Sequence, residues 1–117
     1  MAEIRVCYPG AFLPTFGQHR FEVYIDDTLV KASPGYLRGW EAVVAVPLGR
    51  HRLEVRAINR LTGWRRSSFF SFTVDQEVGC RMHLRISHAW GSWREPLLEP
   101  LDAAQLHAAA DGASRRS

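Results

Sequence analysis

The sequence predicts an all-β protein: an antiparallel β-sandwich of about seven strands with a short C-terminal helix. Three observations carry this expectation. Apolar and polar residues alternate along Phe21–Ile25, Leu53–Ala57 and Cys80–Ile86, which puts one apolar set on one face of each strand. Turn residues separate the runs at short and fairly regular spacing: Asp26-Asp27, Pro34-Gly35, Leu48-Gly49-Arg50, Gly63 and 75–79. The helix-start signal lies beyond residue 100.

Taken in order, residues 3–8 alternate Ile4, Val6 and Tyr8 against Glu3, Arg5 and Cys7, so Cys7 falls on the polar side. Residues 9–19 carry two prolines and two glycines and read as a loop, with Phe12 and Phe16 covering an end of the core. The second strand is 20–26, and Asp26-Asp27 turns it into a short third strand at 28–32. After the loop 33–39, the run Trp40–Val46 is apolar on both parities, as in a central strand or one crossing beneath loops, and Pro47 ends it. Strand 51–59 follows. The turn 60–66 holds Trp64, Arg65 and Arg66. The next strand sets Phe70, Phe72 and Val74 against Ser71 and Thr73. The last predicted strand, 80–88, turns Cys80, Met82, Leu84 and Ile86 inward and Arg81, His83, Arg85 and Ser87 outward.

The expected division is a sandwich over 1–94 and a Pro/Ala-rich tail over 95–117. Within the tail, Asp102 is a helix N-cap with Gln105 three residues on, Leu101 and Leu106 form a staple, and Gly112 is a C-cap. These signals predict a helix over 103–110 with a disordered end after it.

A chain of 117 residues makes one domain and can bury a core without staples. Net charge is +3 and Lys31 is the only lysine; the arginines are dispersed, with no run of four cations. Nucleic acid is therefore not expected as a partner. Glu3 and Arg5 interrupt any signal-peptide core, and no apolar run approaches membrane-spanning length. The expected location is the cytoplasm, with Cys7 and Cys80 reduced. A disulfide between them would require the two terminal strands to be neighbours.

The segments FEVYID (21–26), VPLGRHRLEV (46–55), SSFFSFTV (67–74) and CRMHLRIS (80–87) follow one another in a familiar order. Over about residues 20–87 the chain resembles small bacterial β-sandwiches of the PEGA-like, carboxypeptidase-regulatory-like or immunoglobulin-like kind. Asp26-Asp27 stands where PEGA-type domains have Asp-Gly. The resemblance implies a non-catalytic adhesive or scaffolding module.

Chemical motifs are few. No residue is assigned a catalytic, cofactor-binding or metal-binding role: there is no nucleophile elbow, no phosphate loop and no CxxC spacing. The expectation is that the protein is not an enzyme. His19, His51, His83, His88 and His107 read as solvated strand-face or surface residues, although His51 and His83 would meet if strands 51–59 and 80–88 paired. That pairing would also join Arg52 and Arg56 to Arg81, His83 and Arg85 in one basic sheet face, suited to an anionic polymer or lipid headgroups. Trp40 belongs in the core and Trp90 seals it; Trp64 and Trp93 have either role open to them. The proposed contact surface is Trp64, Arg65, Arg66, Trp93 and Arg94, aromatic and guanidinium groups in segments where no strand requires them. The expected function is protein–protein binding. Carbohydrate binding by coplanar surface tryptophans is the alternative, and a homodimer through an edge strand is a further expectation.

Overall fold

The structure, a computed structural model, describes residues 1–11, 19–86 and 93–101. It holds eight strands: β1 (Ala2–Tyr8), β2 (His19–Ile25), β3 (Thr28–Ser33), β4 (Trp40–Val46), β5 (Gly49–Asn59), β6 (Arg65–Val74), β7 (Cys80–Ile86) and β8 (Trp93–Pro100). They form two four-stranded sheets, β4-β1-β7-β8 and β3-β2-β5-β6, which bury one common core. The all-β sandwich is as the alternation predicts. The expected helix over 103–110, and with it Phe12, Phe16, His88, Trp90 and His107, lies outside the described residues.

Four features differ from the sequence reading. The strand Trp93–Pro100 extends the sheet where a Pro-rich tail was expected, so the boundary at 94 falls inside β8. An edge strand accommodates Pro96 and Pro100 because one side of its ladder faces no neighbour. Next, β1 and β7 pair in parallel, with Cys7 beside His83, while the other pairs are antiparallel. Third, β4 is an edge strand rather than a central one, and the chain passes from it through Pro47 and Leu48 into the other sheet. Finally, β5 and β7 lie in different sheets, so His51 and His83 do not meet.

Local chemistry explains the connections. Asp26 and Asp27 take φ of 49° and 67°, the left-handed pair that a two-residue hairpin loop needs, and aspartate tolerates it through its short polar side chain. Gly79 precedes β7 at φ 90°, and a Cβ there would sit 1.8 Å from the Glu3 carbonyl oxygen. The close approach of this loop to β1 thus demands glycine. The Gly79 carbonyl accepts from the Leu101 amide at 3.0 Å, which fastens the end of β8 to the same loop.

The core runs from Ala2, Ile25, Val46 and Val74 near one end to an aromatic cluster at the other. Phe21 is fully buried there, with ring centroids 4.9 Å from each of Tyr8, Tyr36 and Trp93 and 6.0 Å from Trp40. The Tyr8 hydroxyl donates to the Tyr36 carbonyl at 2.5 Å. Burial pushes the Tyr8 phenol far above its ordinary value and that of Tyr36 up to about 12, so both stay neutral. Trp40 is half-buried on this cluster, and its indole N–H donates to Ser33 Oγ at 3.1 Å.

His51 is buried, not solvated, because it shares the inward parity of Leu53 and Val55. Its Nδ1 lies 2.5 Å from Asp26 Oδ2 and its Nε2 lies 2.6 Å from the Pro47 carbonyl oxygen. Both ring nitrogens therefore face acceptors, and only the imidazolium donates to both. Burial alone would lower its pKa, but the bonds to Asp26 and Pro47 outweigh it and the value is raised. For Asp26, burial raises the pKa, yet the Arg52 amide and His51 outweigh that and hold it below its ordinary value.

Two predictions follow from this packing. Trp93→Ala should cost about 3–5 kcal/mol in denaturant unfolding, whereas the exposed Trp64→Ala should stay within about 0.5 kcal/mol. Trp93→Phe should retain most of the stability, since the buried Trp93 indole N–H has no protein partner among the described residues. The second concerns pH. A raised histidine pKa stabilises fully below the unfolded value of about 6.5 and loses that contribution as pH rises through the folded value. A melting series from about pH 6 to pH 9 should show falling stability, and His51→Gln should flatten that slope.

Candidate interaction surface

The β5–β6 hairpin displays the first group of predicted contact residues. Asn59 shapes it: its amide donates to the Trp64 carbonyl at 2.8 Å, its carbonyl accepts from Gly63 at 2.8 Å, and its Oδ1 accepts from the amides of Leu61 and Thr62 at 2.9 and 3.2 Å. Gly63 supplies the positive φ, at 73°. The turn is closed from within its own backbone, so Leu61 and Trp64 are free to project: they are 74% and 48% exposed. Arg60, Arg65 and Arg66 are exposed beside them.

A second loop, 34–39, joins the first. The Arg60 guanidinium donates to the Pro34 carbonyl, which ties the two loops together across the end of the sandwich. This loop brings Arg38 and Leu37, the latter 65% exposed. Arg20 reaches the same end through its register opposite Ile58, which in turn pairs with Arg65. Arg94 follows Trp93 at the start of β8 and is exposed at this end.

The structure therefore gathers Trp64, Arg65, Arg66 and Arg94 at one end, and Trp93 does not belong with them. Trp93 points inward, is 7% exposed, and stacks under Phe21 and Tyr36. Leu37, Arg38, Arg60 and Leu61 are exposed at the same end and are not among the residues the sequence reading names. A signal existed: there is no Asp or Glu from 28 to 40 or from 55 to 74. The end built from these stretches is arginine-rich and lacks carboxylates of its own in either loop. The opposite end carries Asp26, Asp27, Asp75 and Glu77.

The expected basic sheet face does not form. Arg52 and Arg56 lie on the outer side of the β3-β2-β5-β6 sheet, while Arg81, His83 and Arg85 lie on the outer side of the other. Most of these groups are also satisfied locally. Arg52 pairs with Asp27 and stacks over Phe69 at 5.3 Å. Arg56 bonds Glu54 at 3.0 Å and covers the Tyr24 ring at 4.7 Å. Glu54 is buried between them and accepts from Ser67 at 2.7 Å. On the far side, His83 meets Glu99 at 3.1 Å and Arg85 donates to the Glu95 carbonyl at 2.9 Å.

A hollow of about 570 Å³ opens on that far sheet, lined by Cys7, His83, Arg85, Leu97 and Glu99 among others. The Cys7 thiol lies 3.5 Å from Glu41 Oε2, and burial pushes its pKa up, which is the reverse of what a nucleophilic cysteine needs. Cys80 faces the core. The two thiols sit on opposite faces of adjacent strands and are free, although the strands are neighbours. Among the described residues no group of three His, Cys, Asp or Glu side chains has metal-binding geometry.

No known protein family matches the chain, and no curated protein or solved structure matches it.

Proposed function

We propose that the protein is a non-enzymatic binding module, of PEGA-like or related sandwich type, that docks its arginine-rich end on the acidic surface of a protein partner. One observation carries the reading: arginines and exposed Leu37, Leu61 and Trp64 share an end whose two loops contain no carboxylate. Exposed guanidinium groups interleaved with apolar side chains are the composition of binding hot spots. A desolvated arginine needs an anion from outside when its own chain offers none nearby.

The strand order here differs from that of an immunoglobulin constant domain. An immunoglobulin constant domain places its first, second, fifth and fourth strands in one sheet. Here the first and fourth strands share a sheet with β7 and β8, and the second and fifth share the other. A cytoplasmic setting accords with the two free thiols.

The tryptophan platform for carbohydrate has no support among the described residues, since Trp40 and Trp93 pack on Phe21. Headgroup binding keeps one argument, because arginine with exposed Leu and Trp also suits an anionic membrane surface.

The test is a photo-crosslinker at position 61 in the native host. A discrete protein adduct is expected, reduced on the order of tenfold by Trp64→Ala combined with Arg66→Glu and Arg94→Glu in a protein of unchanged melting temperature. An adduct pattern indifferent to those substitutions would sink the proposal. Loss of adducts together with salt-sensitive binding to phosphatidylserine vesicles would replace the protein partner with a membrane.

A further inference from the structure

Among the described residues β3, β4, β6 and β8 are the edges of the two sheets, and the four are not equally protected. The β8 edge carries Pro96 and Pro100, which cannot donate to a ladder. The β3 edge is short and is interrupted by a register shift opposite Val23 and Tyr24. The β4 edge has seven residues and ends at Pro47. β6 is the longest edge: ten residues, Arg65–Val74, against seven in β4, and like β4 it is free of proline and glycine and pairs without a register shift. From Ser67 to Val74 it carries no charge to guard it.

Self-pairing of β6 has one register that its charges select. An antiparallel partner related by a two-fold axis perpendicular to the sheet places residues with a constant sum opposite each other. With Phe70 on the axis, Ser68 faces Phe72 of the second copy, Phe69 faces Ser71 and Ser67 faces Thr73. Arg65 then faces Asp75, and by symmetry Asp75 faces Arg65. Both are exposed and neither has an ion pair among those the structure shows, so each is available to the second copy. Moving the axis to Phe69 sets Arg65 against Thr73 and loses both pairs.

We propose that the protein forms a symmetric dimer by antiparallel β6–β6 addition centred on Phe70, with an Arg65–Asp75 pair at each end. The two β3-β2-β5-β6 sheets then run on as one continuous sheet. The same flank carries β8 of the second sheet, where Leu98 has inward parity yet is 39% exposed. A second copy brought to this flank gives that side chain an apolar neighbour. Serine and threonine opposite one another, and phenylalanine opposite serine, are compatible cross-strand neighbours.

This dimer is independent of the partner reading except that both use Arg65, and the partner test above leaves Arg65 and Asp75 unchanged. The dimer test is a charge-swap cycle in sedimentation equilibrium. Arg65→Asp and Asp75→Arg should each raise the dimer dissociation constant on the order of tenfold, by placing like charges opposite each other twice per dimer. The double variant should restore it. A second measurement reads the register: Phe69→Cys mixed with Ser71→Cys should give an interchain disulfide on oxidation, and neither variant alone should do so efficiently. A wild-type protein that stays monomeric throughout, or a dimer unmoved by both single reversals, would overturn the proposal.

Discussion

The sandwich depends on how one phenylalanine closes it. Phe21 projects from β2 of one sheet and touches rings from β1, β4 and β8 of the other, together with Tyr36 from the loop between β3 and β4. A single fully buried ring therefore bridges two sheets that share no backbone hydrogen-bond ladder. The loops displaying Leu37 and Leu61 rise from strands fixed by this cluster. Their exposure is a consequence of it: with the aromatic core filled by Tyr8, Tyr36, Trp40 and Trp93, no inward room is left for further large apolar groups. The loop apolar residues remain outside.

The charge pattern obeys the same logic in reverse. On the outer face of β5, arginine is neutralised inside the chain. Arg56 lies against Glu54 and Tyr24, and Arg52 against Asp27 and Phe69. Such pairs are partly exposed and contribute little to stability, but they cover apolar ring surface and hold Glu54 in a satisfied buried position. At the loop end the same residue type has no carboxylate in either loop. One arginine population covers the β5 face and the other stands exposed at the loop end. Net charge alone, at +3, conceals this division.

Much of the fold was legible because alternation reports burial directly. The inward sets of β1, β2, β5, β6 and β7 are those that period-2 reading assigns. What escaped shares a cause. β8 was read as tail because proline argues against a strand, and that argument fails at an edge. The parallel β1–β7 pair joins residues far apart in sequence, and nothing local encodes such a partner. His51 reads as solvated on residue type, although its parity with Leu53 and Val55 places it inward. The same point decides between the two roles open to Trp93: once 93–100 is a strand, its first inward position belongs to the core. The binding end was half legible. Trp64, Arg65, Arg66 and Arg94 were visible as residues without a structural task, but Arg60 bridging to Pro34 depends on loops that only the folded chain brings together.

The position of β8 also bears on how the two flanks differ. A sandwich must end each sheet somewhere, and each end is a row of unpaired backbone groups. Here one sheet ends, on the flank it shares with β6, in a strand whose prolines remove donors; the other ends in β6, whose backbone is regular throughout. The protection is thus one-sided. Proline at 96 and 100 prevents the β4-β1-β7-β8 sheet from extending past β8, while nothing in Ser67–Val74 imposes the same limit on its companion. Of these two adjacent edges β6 is thus the longer and the unguarded one, ten residues with arginine at its start and aspartate just beyond its end, the charges that would restrict the register of the proposed pairing.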